Sequence, residues 1–351
     1  MKLIQTVDAE GAVLCHDITQ IIKGVTKDAV FRKGHIVTKE DITVLLSVGK
    51  DQLYVWEKEE GMLHENEAAE ILCGMCKGEH MERSQVKEGK VELTAGCRGL
   101  LKVNDSGLKA VNGFGQMMIA TRHGNTMVKA GDKLAGTRII PLVIEEEKME
   151  AARKATMEAT KGRPILELKP FLHKKVGIIT TGNEVYYGRI QDTFTPVIEE
   201  KLKEFDTEII DHVTWNDDDK KVTNSILDMI HKGADVVICT GGMSVDPDDK
   251  TPLAIKNTKA KVVSYGAPVL PGAMFLLAYY EVIEENPRTV AIMGLPGCVM
   301  YAKRTIFDLV LPRVMADDEV TAEGLGALGQ GGLCLNCDFC TFPNCGFGKG
   351  W

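Results

Sequence analysis

A glycine pair followed by an acidic stretch is the part of this sequence whose residue types most directly suggest chemistry. The segment runs from Thr240 to Pro252 and contains Gly241 and Gly242. Paired glycines let backbone N–H groups approach an anion closely. Thr251 followed by proline is typical of a helix N-cap, and the dipole of such a helix favours negative charge. The segment fits a phosphate site, and a tight acidic surface turn fits the same pattern equally well.

Carboxylates lie inside the same segment, at Asp246, Asp248 and Asp249. They would repel a bare phosphate. They fit a Mg²⁺ ion placed between them and the ligand, because Mg²⁺ binds carboxylates together with phosphate oxygens. If the segment is a phosphate site, we therefore expect Mg²⁺-dependent chemistry at Asp246 and Asp249.

The last eighteen residues hold four of the ten cysteines: Cys334, Cys337, Cys340 and Cys345. We call residues 334–351 the cysteine tail. The Gly-rich residues 324–333 before it predict a flexible tether. Thiolates at this spacing suit tetrahedral zinc or an iron–sulfur cluster. A disordered tail of free thiols is the alternative.

Glycine or proline also marks three further loops, and each loop is expected to follow a strand. One contains Thr181, Gly182, Asn183, Glu184 and, further on, Asp192; another contains Pro271 and Gly272; the last contains Pro296 and Gly297.

Hydrophobic periodicity predicts the strands and helices that must position these loops. From Lys175 onward, apolar runs alternate with amphipathic stretches, which predicts an α/β domain with a mostly parallel sheet covered by helices on both faces. Ligands of such sheets bind at the C-terminal strand ends. Strands are expected at 175–181, 207–215, 234–240, 261–264 and 289–293, and helices at 195–205, 218–232 and 300–310.

The chain has 351 residues, so two or three domains are expected. We expect a mixed β/α module at 1–170, the α/β domain at 175–316 and the tether with the cysteine tail at 317–351. Within the first module, helices are predicted at 64–77 and 144–161, and a linker at 162–174. Turn residues 104–107 belong to its β-rich part.

Charge and hydropathy exclude some function classes. The formal net charge is −8, and basic residues do not cluster, which argues against nucleic-acid binding. An apolar run long enough to span a bilayer is missing from the sequence, and the N-terminal residues do not resemble a signal peptide. A cytoplasmic location is therefore expected.

The four loops together resemble the molybdenum-cofactor biosynthesis (molybdopterin-binding) domain superfamily. TTGNEV…GRIQDT is similar to the TGDEL…GxIxDxN element of molybdopterin molybdotransferases (the gephyrin type) and of the competence-damage-inducible family. TGGMSVDPDDKTPLAI combines features of molybdotransferases and molybdopterin adenylyltransferases. The LPG and GLPG loops resemble the molybdotransferase PGKP and GLPGNP.

The resemblance implies a role for each loop. Thr181, Gly182, Asn183 and Asp192 would lie at a pterin- or nucleotide-contacting loop, with Glu184 as a catalytic candidate. Gly241, Gly242 and Ser244 would surround the phosphate. The pocket wall would hold Pro271, Gly272, Pro296 and Gly297. Acidic residues for metal-assisted transfer would be Asp249 and Asp246, with Asp217 or its neighbour Asp218 at a further acidic position that resembles one in the adenylyltransferases.

Departures from the family pattern leave three functions open. Asn183 replaces the usual Asp, Pro247 replaces the first Asp of GDYD, and Cys298-Val299 replaces Asn-Pro. The chain is expected to be a divergent molybdotransferase, a non-catalytic molybdopterin carrier or sensor, or a pyrophosphatase of an ADP-ribose-type nucleotide. Molybdopterin or its adenylated form is the expected ligand and a molybdoenzyme the expected client. A homodimer is expected by analogy.

Overall fold

The computed structural model describes residues 2–22, 26–55, 60–244, 246–247, 249–283 and 287–350. The chain divides into two compact units. The N-terminal unit comprises residues 1–96, 103–122 and 131–167, and the C-terminal unit comprises 97–102, 123–130 and 168–351. Over the described residues, every helix is too short or too polar to cross a membrane.

Short strands and four helices occupy the described parts of the first 170 residues. The strands are β1 (Lys2–Gln5), β2 (Ile18–Ile22), β3 (Thr26–Phe31), β4 (Gln52–Val55), β5 (Met62–His64), β6 (Met81–Arg83), β7 (Lys90–Ala95), β8 (Gly99–Val103), β9 (Met117–Thr121), β10 (Thr126–Val128), β11 (Lys133–Ile139), β12 (Val143–Glu145) and β13 (Leu166–Pro170). The helices are α1 (Lys39–Ser47), α2 (Glu65–Cys76), α3 (Asp105–Asn112) and α4 (Glu146–Thr160).

The predicted mixed β/α character of this region is confirmed, with two local differences. Helix α3 begins where a turn was predicted, because the Asn104 side chain caps it by accepting a hydrogen bond from the Gly107 N–H at 2.9 Å. Strand β13 replaces part of the predicted linker, because Leu166 and Leu168 are buried at every second position.

The rest of the chain alternates strands and helices. The strands are β14 (Lys174–Thr181), β15 (Thr207–Trp215), β16 (Val236–Thr240), β17 (Lys261–Tyr265), β18 (Leu276–Val282) and β19 (Arg288–Leu295). The helices are α5 (Asn183–Tyr186), α6 (Phe194–Leu202), α7 (Asp219–His231), α8 (Thr251–Asn257), α9 (Ile306–Met315) and α10 (Ala322–Ala327).

These strands form one six-stranded sheet in the order β15-β14-β16-β19-β18-β17. Neighbours are parallel from β15 to β19, and β18 pairs antiparallel with both β19 and β17. The predicted α/β fold with a mostly parallel sheet is therefore confirmed. Strand β18 itself was not predicted.

Helices cover both faces of this sheet, so the unit has three layers. Alternate strand residues point to opposite faces: Ile178 packs with α6 and α9, whereas Ile179 packs with α7 and α8. The two cores are therefore separated by a sheet whose central strands are buried on both sides.

The region predicted as a flexible tether is ordered instead. Residues 322–327 form α10, with Leu325 buried, and the Leu270 N–H donates to the Gly332 carbonyl oxygen at 2.8 Å. The cysteine tail continues along the same core, where Phe347 is buried. Apolar anchors and backbone hydrogen bonds offset the glycine content that suggested flexibility.

Candidate functional site

The four predicted loops leave the same edge of the sheet. The loops follow β14, β16, β17 and β19, which run in one direction, because β17 and β19 both pair antiparallel with β18. Their C-terminal ends are in register: Thr240 lies opposite both Thr180 and Leu295, and Leu276 of β18 lies opposite both Tyr265 and Gly294. Thr181 also lies opposite Trp215, the last residue of β15. The loop after each strand therefore starts at this edge, as predicted for an α/β sheet.

The glycine pair after β16 occupies a backbone conformation and a space that suit only glycine. Gly241 and Gly242 have φ of +81° and +56°. A Cβ on Gly241 would collide with the Thr181 carbonyl oxygen, and one on Gly242 would lie 2.8 Å from the Thr251 Oγ1. The left-handed conformation and the tight packing against Thr181 and Thr251 restrict both positions to glycine.

Thr251 fixes this loop in a way that the sequence did not predict. It is the first residue of α8, and its N-cap position is taken by Lys250, so the predicted N-cap role of Thr251 is wrong. The Thr251 hydroxyl instead donates to the Gly241 carbonyl oxygen at 2.9 Å, and it lies 3.1 Å from the Thr181 hydroxyl. Two buried threonines thus link the ends of β14 and β16.

The loop after β14 is held against the end of β15. Gly182 has a φ of +140°, and its N–H donates to the Trp215 carbonyl oxygen at 3.2 Å. The next N–H, of Asn183, donates to the Asp217 carboxylate at 3.1 Å. Asp217 therefore lies next to the loop and holds its backbone through Asn183. Glu184 follows with an exposed side chain.

Asp192 is the centre of a polar network beside this loop. Its carboxylate accepts hydrogen bonds from the Phe194 N–H at 2.8 Å, the Thr195 hydroxyl at 2.6 Å and the Thr180 hydroxyl at 3.2 Å. Burial raises the pKa of Asp192, but these hydrogen bonds outweigh it and hold the pKa below its ordinary value. His212 lies on the same network, 3.0 Å from Thr180.

The acidic end of the second loop is only partly described, because Asp248 lies outside the described residues. The Asp249 N–H donates to the Asp246 carbonyl oxygen at 2.9 Å, and Asp246 and Ser244 are exposed. Burial and the nearby Asp249 charge raise the pKa of Tyr265, whose hydroxyl donates to the Met243 carbonyl oxygen.

Of the remaining two loops, the one with Pro271 and Gly272 packs against Ile306, which opens α9. The Ile306 N–H donates to the Pro271 carbonyl oxygen at 3.2 Å, and a Cβ on Gly272 would lie 2.7 Å from the Ile306 Cβ. The space around Gly297 is open. Pro296 is the N-cap of the 3₁₀ turn that contains Gly297.

Predicted metal sites find no preformed counterpart in the described residues. Among the described residues, no group of three or more His, Cys, Asp or Glu side chains is placed to bind a metal ion. Cys334 and Cys345 pack against the core, whereas Cys337 and Cys340 are exposed. The expected zinc or iron–sulfur site on the tail and the expected Mg²⁺ site therefore gain no support from this geometry.

Sequence reasoning missed His212, Tyr186 and Trp215 at this edge. Trp215 ends β15, and the Tyr186 ring centroid lies 6.3 Å from that of Trp215. A signal for Trp215 was available, since it is the last residue of a predicted strand whose end should meet the loops. No comparable signal singled out His212, whose role depends on contacts with Thr180 and Thr195 on other elements.

The segment that forms most of the six-stranded sheet matches a known family model. Residues 177–316 match the family model described as a probable molybdopterin binding domain, and residues 3–57 match a domain of unknown function. The chain is 29% identical to the molybdopterin adenylyltransferase of Pyrococcus furiosus over 140 residues, which cover 37% of this chain and 80% of that protein.

Two further similarities are more limited. A putative competence-damage inducible protein of Bacillus cereus is 28% identical over 36% of this chain, but only 30% of that protein is covered. The crystal structure of the tungsten cofactor synthesizing protein MoaB from Pyrococcus furiosus is 24% identical, covers 40% of this chain and 88% of that one, and superposes with a TM-score of 0.32. Residues 177–316 of this chain match the family of probable molybdopterin binding domains.

Proposed function

We propose that this chain binds molybdopterin, or its adenylated form, at the loop edge of the six-stranded sheet and acts in molybdenum-cofactor biosynthesis. The observation that carries the proposal is the glycine pair at 241–242, with positive φ at both residues and no room for a Cβ. Such a backbone suits the close approach of a phosphate. The family match of residues 177–316 supports a pterin as the remainder of the ligand.

Each part of the site has a separate task in this proposal. The glycine pair binds the phosphate through backbone N–H groups, and Thr181 and Thr251 keep that backbone in place. Asp217 holds the first loop through Asn183. Pro271, Gly272, Pro296 and Gly297 shape the wall, because they belong to the two neighbouring loops.

The finer assignment is a divergent molybdotransferase, with Asp249, Asp246 and Glu184 as candidates for the transfer step. Similarity to an adenylyltransferase over 80% of that protein supports a ligand with an adenylated phosphate. A carrier that binds without turnover is the second candidate, and a nucleotide pyrophosphatase is the third.

Anaerobic purification followed by mass spectrometry of the bound small molecules tests the binding function. We expect a pterin to co-purify with the wild type and to be lost from Gly242→Val, because a β-branched side chain would collide with Thr251 and disfavour positive φ. Gly162→Val is the matched control, since Gly162 also has positive φ, at +77°, but has open space around it. A nucleotide without any pterin would contradict the proposal and favour the pyrophosphatase. Equal pterin content in both variants would show that the ligand does not lie over the glycine pair.

The same preparations distinguish a transferase from a carrier that binds molybdopterin without turnover. Adenylated molybdopterin and molybdate are supplied with and without Mg²⁺, and product is measured for wild type and Asp249→Asn. A transferase predicts turnover that the variant loses while its pterin affinity stays within about tenfold. Binding without turnover in the wild type would favour the carrier.

Elemental analysis for zinc and iron, before and after removal of residues 334–351, tests the predicted metal on the cysteine tail.

A further inference from the structure

Three aromatic side chains lie close together beside the first loop, and we call them the aromatic platform: Tyr186, Tyr187 and Trp215. The ring centroids of Tyr186 and Tyr187 are 5.1 Å apart, and those of Tyr186 and Trp215 are 6.3 Å apart. Tyr186 and Tyr187 are 39% and 59% exposed. Their exposure means that core packing does not account for them.

Two cations flank these rings. The Lys221 Nζ lies 5.2 Å from the Trp215 ring centroid and 6.0 Å from that of Tyr186. The Arg189 guanidinium carbon lies 5.3 Å from the Tyr187 centroid. Aromatic faces next to cations form a surface on which planar nitrogen heterocycles stack, while the cations attract a nearby phosphate.

The platform lies at the distance from the glycine pair that a heterocycle with its phosphate can span. Trp215 lies opposite Thr181 on the neighbouring strand, and Thr181 is hydrogen bonded to the Thr240 carbonyl oxygen on the strand after that. Two strand spacings place Trp215 about 10 Å from the start of the glycine loop. Trp215 also packs on the core under α7 and α8, the sheet face to which Thr181 and Thr251 belong.

We propose that the aromatic platform stacks the planar heterocycle of the ligand whose phosphate is held by Gly241 and Gly242. This inference rests on the proposed function and specifies which part of the ligand each group of residues contacts. The heterocycle is the pterin itself or the adenine of an adenylated pterin, which share the flat, nitrogen-rich surface that an aromatic ring recognises. Tyr186 and Tyr187 supply the stacking surface, and Lys221 and Arg189 complement the ligand's negative charge.

Calorimetric titration of the full chain with three probes tests the platform. AMP carries adenine and a phosphate, ribose 5-phosphate carries the phosphate without a heterocycle, and 6-hydroxymethylpterin carries the pterin without a phosphate. The double variant Tyr186→Leu/Tyr187→Ala removes the exposed rings. We expect about a tenfold loss of affinity for AMP, for 6-hydroxymethylpterin or for both, and less than a twofold change for ribose 5-phosphate.

The exposed Tyr54 of the N-terminal unit, at 45%, provides the matched control Tyr54→Ala. It should leave all three affinities unchanged. A loss confined to AMP would assign adenine to the platform, and a loss confined to 6-hydroxymethylpterin would assign the pterin. Wild-type affinity of the double variant for both heterocycle probes would overturn the inference. That result would leave the proposed function standing if Gly242→Val still removes the co-purified pterin.

Trp215 offers a second readout that does not depend on a loss of affinity. The chain has three tryptophans, so Trp56→Phe/Trp351→Phe leaves Trp215 as the sole indole. Saturation with the heterocycle probe that binds should change the Trp215 emission, whereas ribose 5-phosphate should not. An unchanged emission at a calorimetrically saturated site would place the heterocycle away from the platform.

Discussion

Asp192 shows how one carboxylate can hold a site loop against the sheet. It accepts hydrogen bonds from three donors on α6 and from Thr180 at the end of β14. We expect Asp192→Asn to lower the free energy of unfolding by about 1–3 kcal/mol at neutral pH, because an amide cannot accept all of these bonds and one of its atoms is a donor. Chemical denaturation at about pH 7 gives the value.

The pH dependence of that difference is a separate check. Because the folded-state pKa of Asp192 is lowered, its contribution is present above the unfolded-state pKa and is lost as the pH falls through the folded-state pKa. The difference in the free energy of unfolding between the wild type and Asp192→Asn should therefore become smaller as the pH falls. Asp228→Asn is the control, since Asp228 is 59% exposed on the surface of α7. If the difference in the free energy of unfolding stayed constant at low pH, the charge of Asp192 would not contribute to stability.

Individual site residues were predictable where their chemistry is local. A turn that depends on glycine was predictable at Gly241 and Gly242, and both residues have positive φ. Thr251 was correctly predicted to lie at the start of a helix, but its role as the N-cap was predicted wrongly. Its hydroxyl instead contacts Gly241 and Thr181 at the sheet edge. His212 could not be found, because its partners lie on other elements and only the fold brings them together.

At the scale of elements, Phe347 is the most deeply buried aromatic residue in the described part of the cysteine tail. Phe347 is 5% exposed in the core beneath α9, whereas Phe339 of the same tail is 81% exposed. We expect Phe347→Ala to lower the free energy of unfolding by about 3 kcal/mol, because it removes a buried ring. Limited proteolysis should then cut within residues 330–350 faster than in the wild type.

Phe339→Ala is the matched control for Phe347→Ala. An exposed ring on the same segment should contribute less than about 0.5 kcal/mol. If both variants had the same stability as the wild type, the tail would not be packed on the core in solution. Its glycines would then form the flexible tether that the sequence predicted.

Elements with a strong hydrophobic periodicity were predicted well. Elements that are ordered only by contacts with residues distant in the chain were not. Helix α7 follows from apolar residues at helical spacing, including Val222, Ile226 and Met229, which are all buried. Strand β18 was missed although its LLAYYEV sequence is apolar and aromatic, because a proline-glycine loop precedes it and no helix follows. The tail illustrates the same point, since its order comes from Leu270, Phe347 and backbone bonds to distant loops.

At the scale of the whole molecule, the C-terminal unit uses residues that precede its family segment. Residues 97–102 and 123–130 belong to it, and β8 pairs with β10 there, with Leu100 opposite Met127. Such a division cannot be read from a linear pattern, because it depends on which core each short strand joins. The sequence therefore predicted a mixed module without assigning these strands to the second unit.

A buried carboxylate, Asp318, links these early residues to the end of α9. It contacts Lys102 at 2.8 Å, Lys169 at 3.1 Å and Arg313 at 2.6 Å, and its side chain is 9% exposed. Burial raises the pKa of Asp318, but these cations outweigh burial and lower the pKa to about 2. We expect Asp318→Asn to lower the free energy of unfolding at neutral pH by about 2–3 kcal/mol, because three partly buried cations lose their counter-ion.

The sign of the pH effect follows from the lowered pKa of Asp318. Its ordinary value is 3.8 and the folded value is about 2, so the stabilisation is complete above about pH 4 and is lost as the pH falls through about 2. Denaturant titrations at a series of pH values should show the variant and the wild type converging in that window. Asp317→Asn is the control, because Asp317 is 60% exposed and its pair with Lys174 is a surface ion pair worth at most about 1 kcal/mol. Equal destabilisation by the two variants at neutral pH would mean that the buried cluster contributes no more than a surface pair, and that residues 97–102 are held in the unit by strand pairing alone.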